Sequence, residues 1–328
     1  MTKLSSKEAI AIITNLLCAK TFLMVPFYFK RIAESGSLIA VIYIFLLAFT
    51  FLLIYFLTNK LKFKGKFLYP FISIVMLIIT SINLFEYSMT ISSLFFKTTP
   101  LIAIFFLFFI AMIFGAYPHI GKLNLFFTPI IYTVAFFMLI FTFSKGNYYY
   151  LFPILGKGFY SVFSDCFFML SSLFELVVLF FIPDLLKNKK DFKRVTFFSL
   201  FYSMIIFVVI TAACLVTVHT DLPENCFSPL FLILRQIKIG TYFQHPDTAF
   251  LIIYFISAFL YLSSMLFWAS HIFSLSSRKL SKKMFLIPFG IIVLLLSFKG
   301  YMFIELSETL NKFLWLFPFV ITFFIRRT

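Results

Sequence analysis

The chain has 328 residues, of which 62% are hydrophobic and 12% charged, with 54 Phe, 10 Gly and 2 Trp. A soluble domain carries roughly 45–50% apolar and about 25% charged residues, so this composition excludes a water-covered globule and points to a surface in contact with lipid. The net charge of +16 does not indicate a nucleic-acid binder, because the basic residues fall in short runs between apolar stretches, the pattern of loops facing anionic lipid.

A transmembrane helix needs about 20 apolar residues. The chain divides into ten such segments, near 8–30, 36–58, 67–95, 100–117, 123–143, 160–186, 195–218, 247–273, 284–300 and 303–325. The expectation is an all-α polytopic membrane protein with a single transmembrane domain over 1–328. The first segment is too long for the apolar core of a signal peptide and lacks a small-residue cleavage site.

The positive-inside rule orients the chain. With the N-terminus inside, Lys3, Lys7, the lysines of 60–66, Lys122, the basic run 187–194, the run 278–283 and Arg326–Arg327 all lie on the cytoplasmic side. That set outnumbers the opposite one (Lys30, Arg31, Lys97, Lys145, Lys157, Arg235, Lys238 and Lys299). Both termini are therefore expected in the cytoplasm. The longest connection, 219–246, is then external, and within it 228–239 reads equally as a short interfacial helix or a plain connector.

An even ten divides into two halves of five, about 8–143 and 160–325. Halves with an odd number of helices are inverted repeats, and such transporters place a site at the bilayer midplane where the first helix of each half is broken. Charges at helix depth are costly, so they mark candidate sites. Three stand out: Lys20 midway along helix 1, Glu175 midway along helix 6, and Glu86 in helix 3. Helices 1 and 6 are the equivalent first helices of the halves, and a Lys20–Glu175 contact would offset the desolvation of each charge. Around them the candidate ligand-binding residues are Ala19, Lys20, Thr21, Glu86, Ser171, Ser172 and Glu175, with Ser257 and Tyr261 from helix 8. Asp165, Asp247, Glu305 and Glu308 fall near helix starts, where a carboxylate suits the helix dipole.

Other chemistry is not written in the sequence. Cys18, Cys166 and Cys214 lie in apolar segments and Cys226 in a loop, none in a CxxC pair. The four histidines have no metal-ligand spacing. There is no Walker A, GxSxG, HExxH or dinucleotide motif, which argues against an enzyme, a cofactor or a self-contained ATP-driven pump.

Several stretches, taken in order, resemble the spore germination proteins of amino acid permease type. They are Leu4-Ser5-Ser6-Lys7-Glu8, Asn15 and Leu23-Met24-Val25-Pro26, then Thr99-Pro100 and Phe152-Pro153, then Phe174-Glu175-Leu176 with Pro183, and the run from Asp247 to Trp268. The resemblance implies the amino acid–polyamine–organocation transporter superfamily, with a LeuT-like five-plus-five inverted repeat and broken helices 1 and 6. It further implies a B subunit of a nutrient germinant receptor in the spore inner membrane, working with a membrane-anchored A subunit and a lipoprotein C subunit. Its implied role is to bind a small germinant, often an amino acid; the alternative is a proton-coupled amino acid permease. Where that family carries glycines at the helix 1 break, this chain has Ala19 and Thr21 flanking Lys20, and Phe174 precedes Glu175. Lys20 could then supply an ammonium contact directly, or stand where a cation would bind.

Overall fold

The computed structural model describes residues 3–23, 25–57, 68–117, 119–217, 229–236, 246–276, 281 and 283–300. The expected tenth helix at 303–325, the basic loop 58–67, the loop stretches 218–228 and 237–245, and Cys226, Glu305 and Glu308 lie outside these residues.

The described residues form helices joined by turns and short loops, with one isolated parallel bridge between Leu4 and Leu186. Helix α1 (Ser6–Cys18) starts at a capping box: the Glu8 N–H donates to Ser5 Oγ at 3.3 Å and the Ser5 N–H to Glu8 Oε2 at 2.7 Å. Two otherwise orphaned helix-start groups are satisfied in this way. The helix tightens into a 3-10 turn over Ala19–Phe22 and stops at Leu23, whose φ and ψ are −91° and −148°. It resumes as α2 (Val25–Ala33), with Pro26 in its first turn, where a missing N–H costs least. A turn at Glu34–Gly36 leads into α3 (Ser37–Leu57), followed by α4 (Leu68–Leu94), α5 (Leu101–Ala116) and α6 (Ile120–Lys145).

The second half opens with α7 (Phe159–Phe163), a 3-10 stretch over Asp165–Phe180 and the short α8 (Ile182–Leu185). Runs of 3-10 helix beyond three or four residues are uncommon and mark strain or a hinge. Here the stretch contains a non-helical residue, Leu173 (φ −101°, ψ 21°), and the arms Phe159–Phe167 and Met169–Leu185 meet at 45°. Helices α9 (Phe192–Thr217), α10 (Pro229–Gln236), α11 (Pro246–Ser274) and α12 (Lys283–Ser297) complete the described chain.

Among the described residues, five segments are long and apolar enough to cross a membrane: Tyr28–Leu53, Leu68–Leu94, Ile120–Ser144, Lys189–Thr217 and Thr248–Ser274. The bent pair from Phe159 to Leu185 makes a sixth. Helices α5 and α12 are apolar but have 16 and 15 residues, short of the usual length.

Two helices organise the interior. Helix α11 packs on α4, α5 and α6, and α1 packs on α6, α9 and the 3-10 stretch. Gly115 lets α5 approach α11, since a Cβ there would sit 2.7 Å from the Phe259 ring. The segment expected over 228–239 forms α10, which buries Leu230, Phe231 and Leu234 against the bundle, with the Phe231 and Phe95 rings 4.7 Å apart.

One end of the bundle gathers the starts of α1, α6 and α9 with the end of α8. The Leu4 N–H donates to Leu185 O at 2.7 Å, Ser6 Oγ donates to Asp191 Oδ2 at 2.6 Å, and Gly121 lies against Leu4. Lys3, Lys7, Lys122, Lys187, Lys189, Lys190, Lys193 and Arg194 are exposed at this end. All eight belong to the set that the positive-inside rule places in the cytoplasm.

Candidate functional site

The two irregular segments meet in the core. The 3-10 turn after α1 carries Lys20, and the stretch through Leu173 carries Glu175. Lys20 Nζ lies 2.8 Å from Glu175 Oε2, with side-chain exposures of 10% and 0%. In a low-dielectric interior either charge alone would be costly, and only close pairing with further hydrogen bonds makes it tolerable. The further bond comes from α11: Tyr261 OH donates to Glu175 Oε1 at 2.7 Å. Three structural elements thus converge on one carboxylate.

Glu86, on α4, is half-buried and within electrostatic range of Lys20. Lys20, Glu175 and Glu86 together place one cation and two carboxylates around the same point. Beside them stand three buried tyrosines, with ring centroids 5.4 Å apart for Tyr87–Tyr254 and 6.1 Å for Tyr87–Tyr261. The Tyr87 hydroxyl has no hydrogen-bond partner among the described residues. A short distance along α1, Asn15 Oδ1 accepts from Tyr132 OH and Ser257 Oγ, both at 3.4 Å, while Asn15 Nδ2 has no partner among the described residues. Phe22 stacks on Tyr132 at 5.9 Å and meets Phe250 edge-on at 5.6 Å. The result is a polar centre walled by aromatic rings, in which Asn15 Nδ2 and the Tyr87 and Tyr254 hydroxyls have no hydrogen-bond partner among the described residues.

The candidates read from the sequence separate into three groups. Lys20, Glu175 and Tyr261 are in direct contact, and Glu86 and Ser257 lie in the same central layer. Ala19 and Thr21 are fully buried in the turn, where Thr21 Oγ1 donates to Cys18 O at 2.6 Å and so helps to hold the interruption. Ser172 Oγ is likewise taken up by Met169 O at 2.7 Å, and Ser171 is buried in the bent stretch without a described contact to the ion pair. Thr21 and Ser172 therefore serve the backbone first. Asn15, Tyr87, Tyr132 and Tyr254 belong to the centre although the sequence reading did not select them as ligand-binding. Their signal was weak, since tyrosines in so aromatic a chain are unremarkable. Ser257 and Tyr261, about one turn apart on α11, are the pair from that helix that the sequence did show.

Among the described residues, no group of three or more His, Cys, Asp or Glu is placed to hold a metal ion. Cys18, Cys166 and Cys214 are buried and unbonded to one another. His271 is buried against Phe267 and Trp268 on α11.

Comparison with known families completes the picture. The family model described as "Spore germination protein" matches residues 3–300. The chain belongs to that family. A comparison with curated proteins finds no match. Among solved structures, this spore germination protein is similar to a Na+-coupled sialic acid symporter in a substrate-bound, outward-open state. That likeness has a TM-score of 0.63 and 13% identity, over 96% of this chain and 78% of the symporter. It is also similar to a manganese transporter of Eremococcus coleocola, with a TM-score of 0.57 and 10% identity over 95% and 75% of the two chains. At such identities the likeness is one of fold alone: that of multi-pass, LeuT-like membrane proteins.

Proposed function

We propose that this spore germination protein is the B-type subunit of a nutrient germinant receptor. It would bind a small nutrient, of which an amino acid is the leading class, in the central layer between its two interrupted helices. The observation that carries the reading is the Lys20–Glu175–Tyr261 contact, which ties the two interruptions to α11. On this reading the chain has ten spans in a five-plus-five inverted repeat. The interrupted α1–α2 and the bent 159–185 segment are the first helices of the two halves, and the termini and the Lys-rich end face the cytoplasm.

The mechanism is a population shift. A ligand that offers its own ammonium or carboxylate to Glu86, Glu175 or Lys20 competes with the internal pair, and it stabilises whichever packing of α1 and α2 accommodates it. A-type and C-type receptor subunits would read that packing, with no chemistry catalysed by this chain. Membership of the germination family and the transporter-like fold support this assignment. Loss of the usual glycines beside Lys20 and Glu175 favours recognition through side chains over recognition through an unwound backbone.

The second reading is a proton-coupled amino acid permease, and Glu86 favours it. A half-buried carboxylate beside an ion pair already satisfied is a natural proton carrier. Uptake of radiolabelled amino acids into proteoliposomes under an inward proton gradient separates the two. The receptor reading predicts saturable binding without accumulation; sustained accumulation that collapses with the gradient replaces it with the permease.

A further inference from the structure

A cavity lies on the flank of the bundle and reaches inward as far as Tyr132, at the edge of the central layer. It is a lateral groove of about 710 Å³ between α1, α6 and α9. Its floor is the stripe of α1 from Lys7 to Thr14, and its walls are α6 from Leu125 to Phe136 and α9 from Arg194 to Ile206. The groove opens sideways, because Phe136, Tyr202 and Ile205 on its walls are 50%, 46% and 42% exposed. In a membrane-spanning bundle that side is acyl chain. The α6 stripe from Leu125 to Phe136 spans twelve residues, a rise of about 16 Å at 1.5 Å per step, close to half of a hydrocarbon core about 30 Å thick.

The mouth of the groove is charged and the rest is not. Lys7 and Arg194 are both exposed at the mouth, and no acidic residue lines the cavity. Neither has an ion-pair partner among the described residues; the Arg194 guanidinium lies over the Phe198 ring at 5.8 Å, along the groove wall. An Arg guanidinium matches phosphate geometry, and basic residues next to a hydrophobic slot at a membrane surface attract anionic headgroups. Deeper in, Thr14 Oγ1 is buried without a hydrogen-bond partner among the described residues, one residue before Asn15 of the central layer.

From this arrangement we infer that the groove is a binding site for one anionic phospholipid of the leaflet that meets the Lys-rich end, with its phosphate between Lys7 and Arg194 and an acyl chain along α6. An occupant there wedges α1 against α6 and α9 and restrains the helix that leads into the Ala19–Leu23 interruption. The inference requires that the bundle sits in a membrane, and it stands whether the central layer senses or transports.

The test is native mass spectrometry of the full-length protein in detergent, offered equimolar phosphatidylglycerol and phosphatidylcholine. The expected result is retention of phosphatidylglycerol over phosphatidylcholine, with the ratio falling about tenfold in K7Q/R194Q. K189Q/K190Q removes the same charge from the same end outside the groove and should keep the wild-type ratio. T133W fills the groove from an exposed wall position, without touching either cation, and should release the bound lipid. Equal retention of the two lipids by the wild type, an equal fall in K189Q/K190Q, or undiminished binding by T133W would each overturn the site.

Discussion

The two interruptions that meet at the ion pair are built differently. Between α1 and α2 the helix stops: Leu23 leaves helical geometry altogether, and a new helix starts at Val25 with Pro26 behind it. Between Phe159 and Leu185 the chain bends by 45° but stays wound, with Leu173 as the single off-helix residue. The first carries the cation and the second the anion. A stopped helix has two ends that can be repointed, whereas an overwound helix can only flex. On the proposed mechanism this difference puts the motion on the Lys20 side and leaves Glu175, braced by Tyr261 on α11, as the fixed partner.

The largest effect should come from cutting the contact between the two. Lys20→Ala leaves a buried carboxylate without its cation, and loss of one partner from such a pair costs about 3–5 kcal/mol. Thermal unfolding in detergent should show that loss, and spores carrying the variant should not respond to nutrients. Next is Tyr261→Phe, which keeps the ring against Tyr87 but removes a hydrogen bond to a charged oxygen. The expected stability loss is about 1.5–3 kcal/mol, with the nutrient response weakened but present. The smallest effect separates the two interruptions directly. Ala19→Gly and Ser172→Gly each add backbone freedom at a cost of about 0.5–1 kcal/mol. Ala19→Gly should shift the nutrient concentration for half-maximal response, and Ser172→Gly should lower stability while leaving that concentration unchanged. A shift of equal size in both variants would erase the distinction between a movable and a fixed half.

Much of this was legible in the sequence because charge at helix depth is rare. Lys20 and Glu175 announce themselves for the same reason that they pair: neither can be left alone in an apolar interior. The helix 1 break was expected around Lys20, from the resemblance to the family; the helix tightens there into a 3-10 turn over Ala19–Phe22 and leaves helical geometry at Leu23. The tyrosines were less legible. Tyr87, Tyr132 and Tyr254 come from three helices, and their convergence is a property of packing that no single-helix pattern records. The count of spans is the coarsest reading, since α5 and α12 are apolar but short for the usual spanning length. Thr21 and Ser172 were chosen as polar groups beside the charges, and both turn their hydroxyls to nearby carbonyls, the common local alternative for Ser and Thr in apolar helices.

The central claim is that the Lys20–Glu175 pair is the sensing element and not only a brace. Replacing both charges by apolar groups of similar size, Lys20→Met with Glu175→Leu, tests it, because removing a buried pair together is often neutral for stability. The measurement is loss of spore refractility on addition of a mixture of the twenty amino acids, at membrane abundance matched to wild type. The expected result is spores that hold the double variant in the membrane and do not respond; a response at wild-type nutrient concentrations would make the pair a brace and no more.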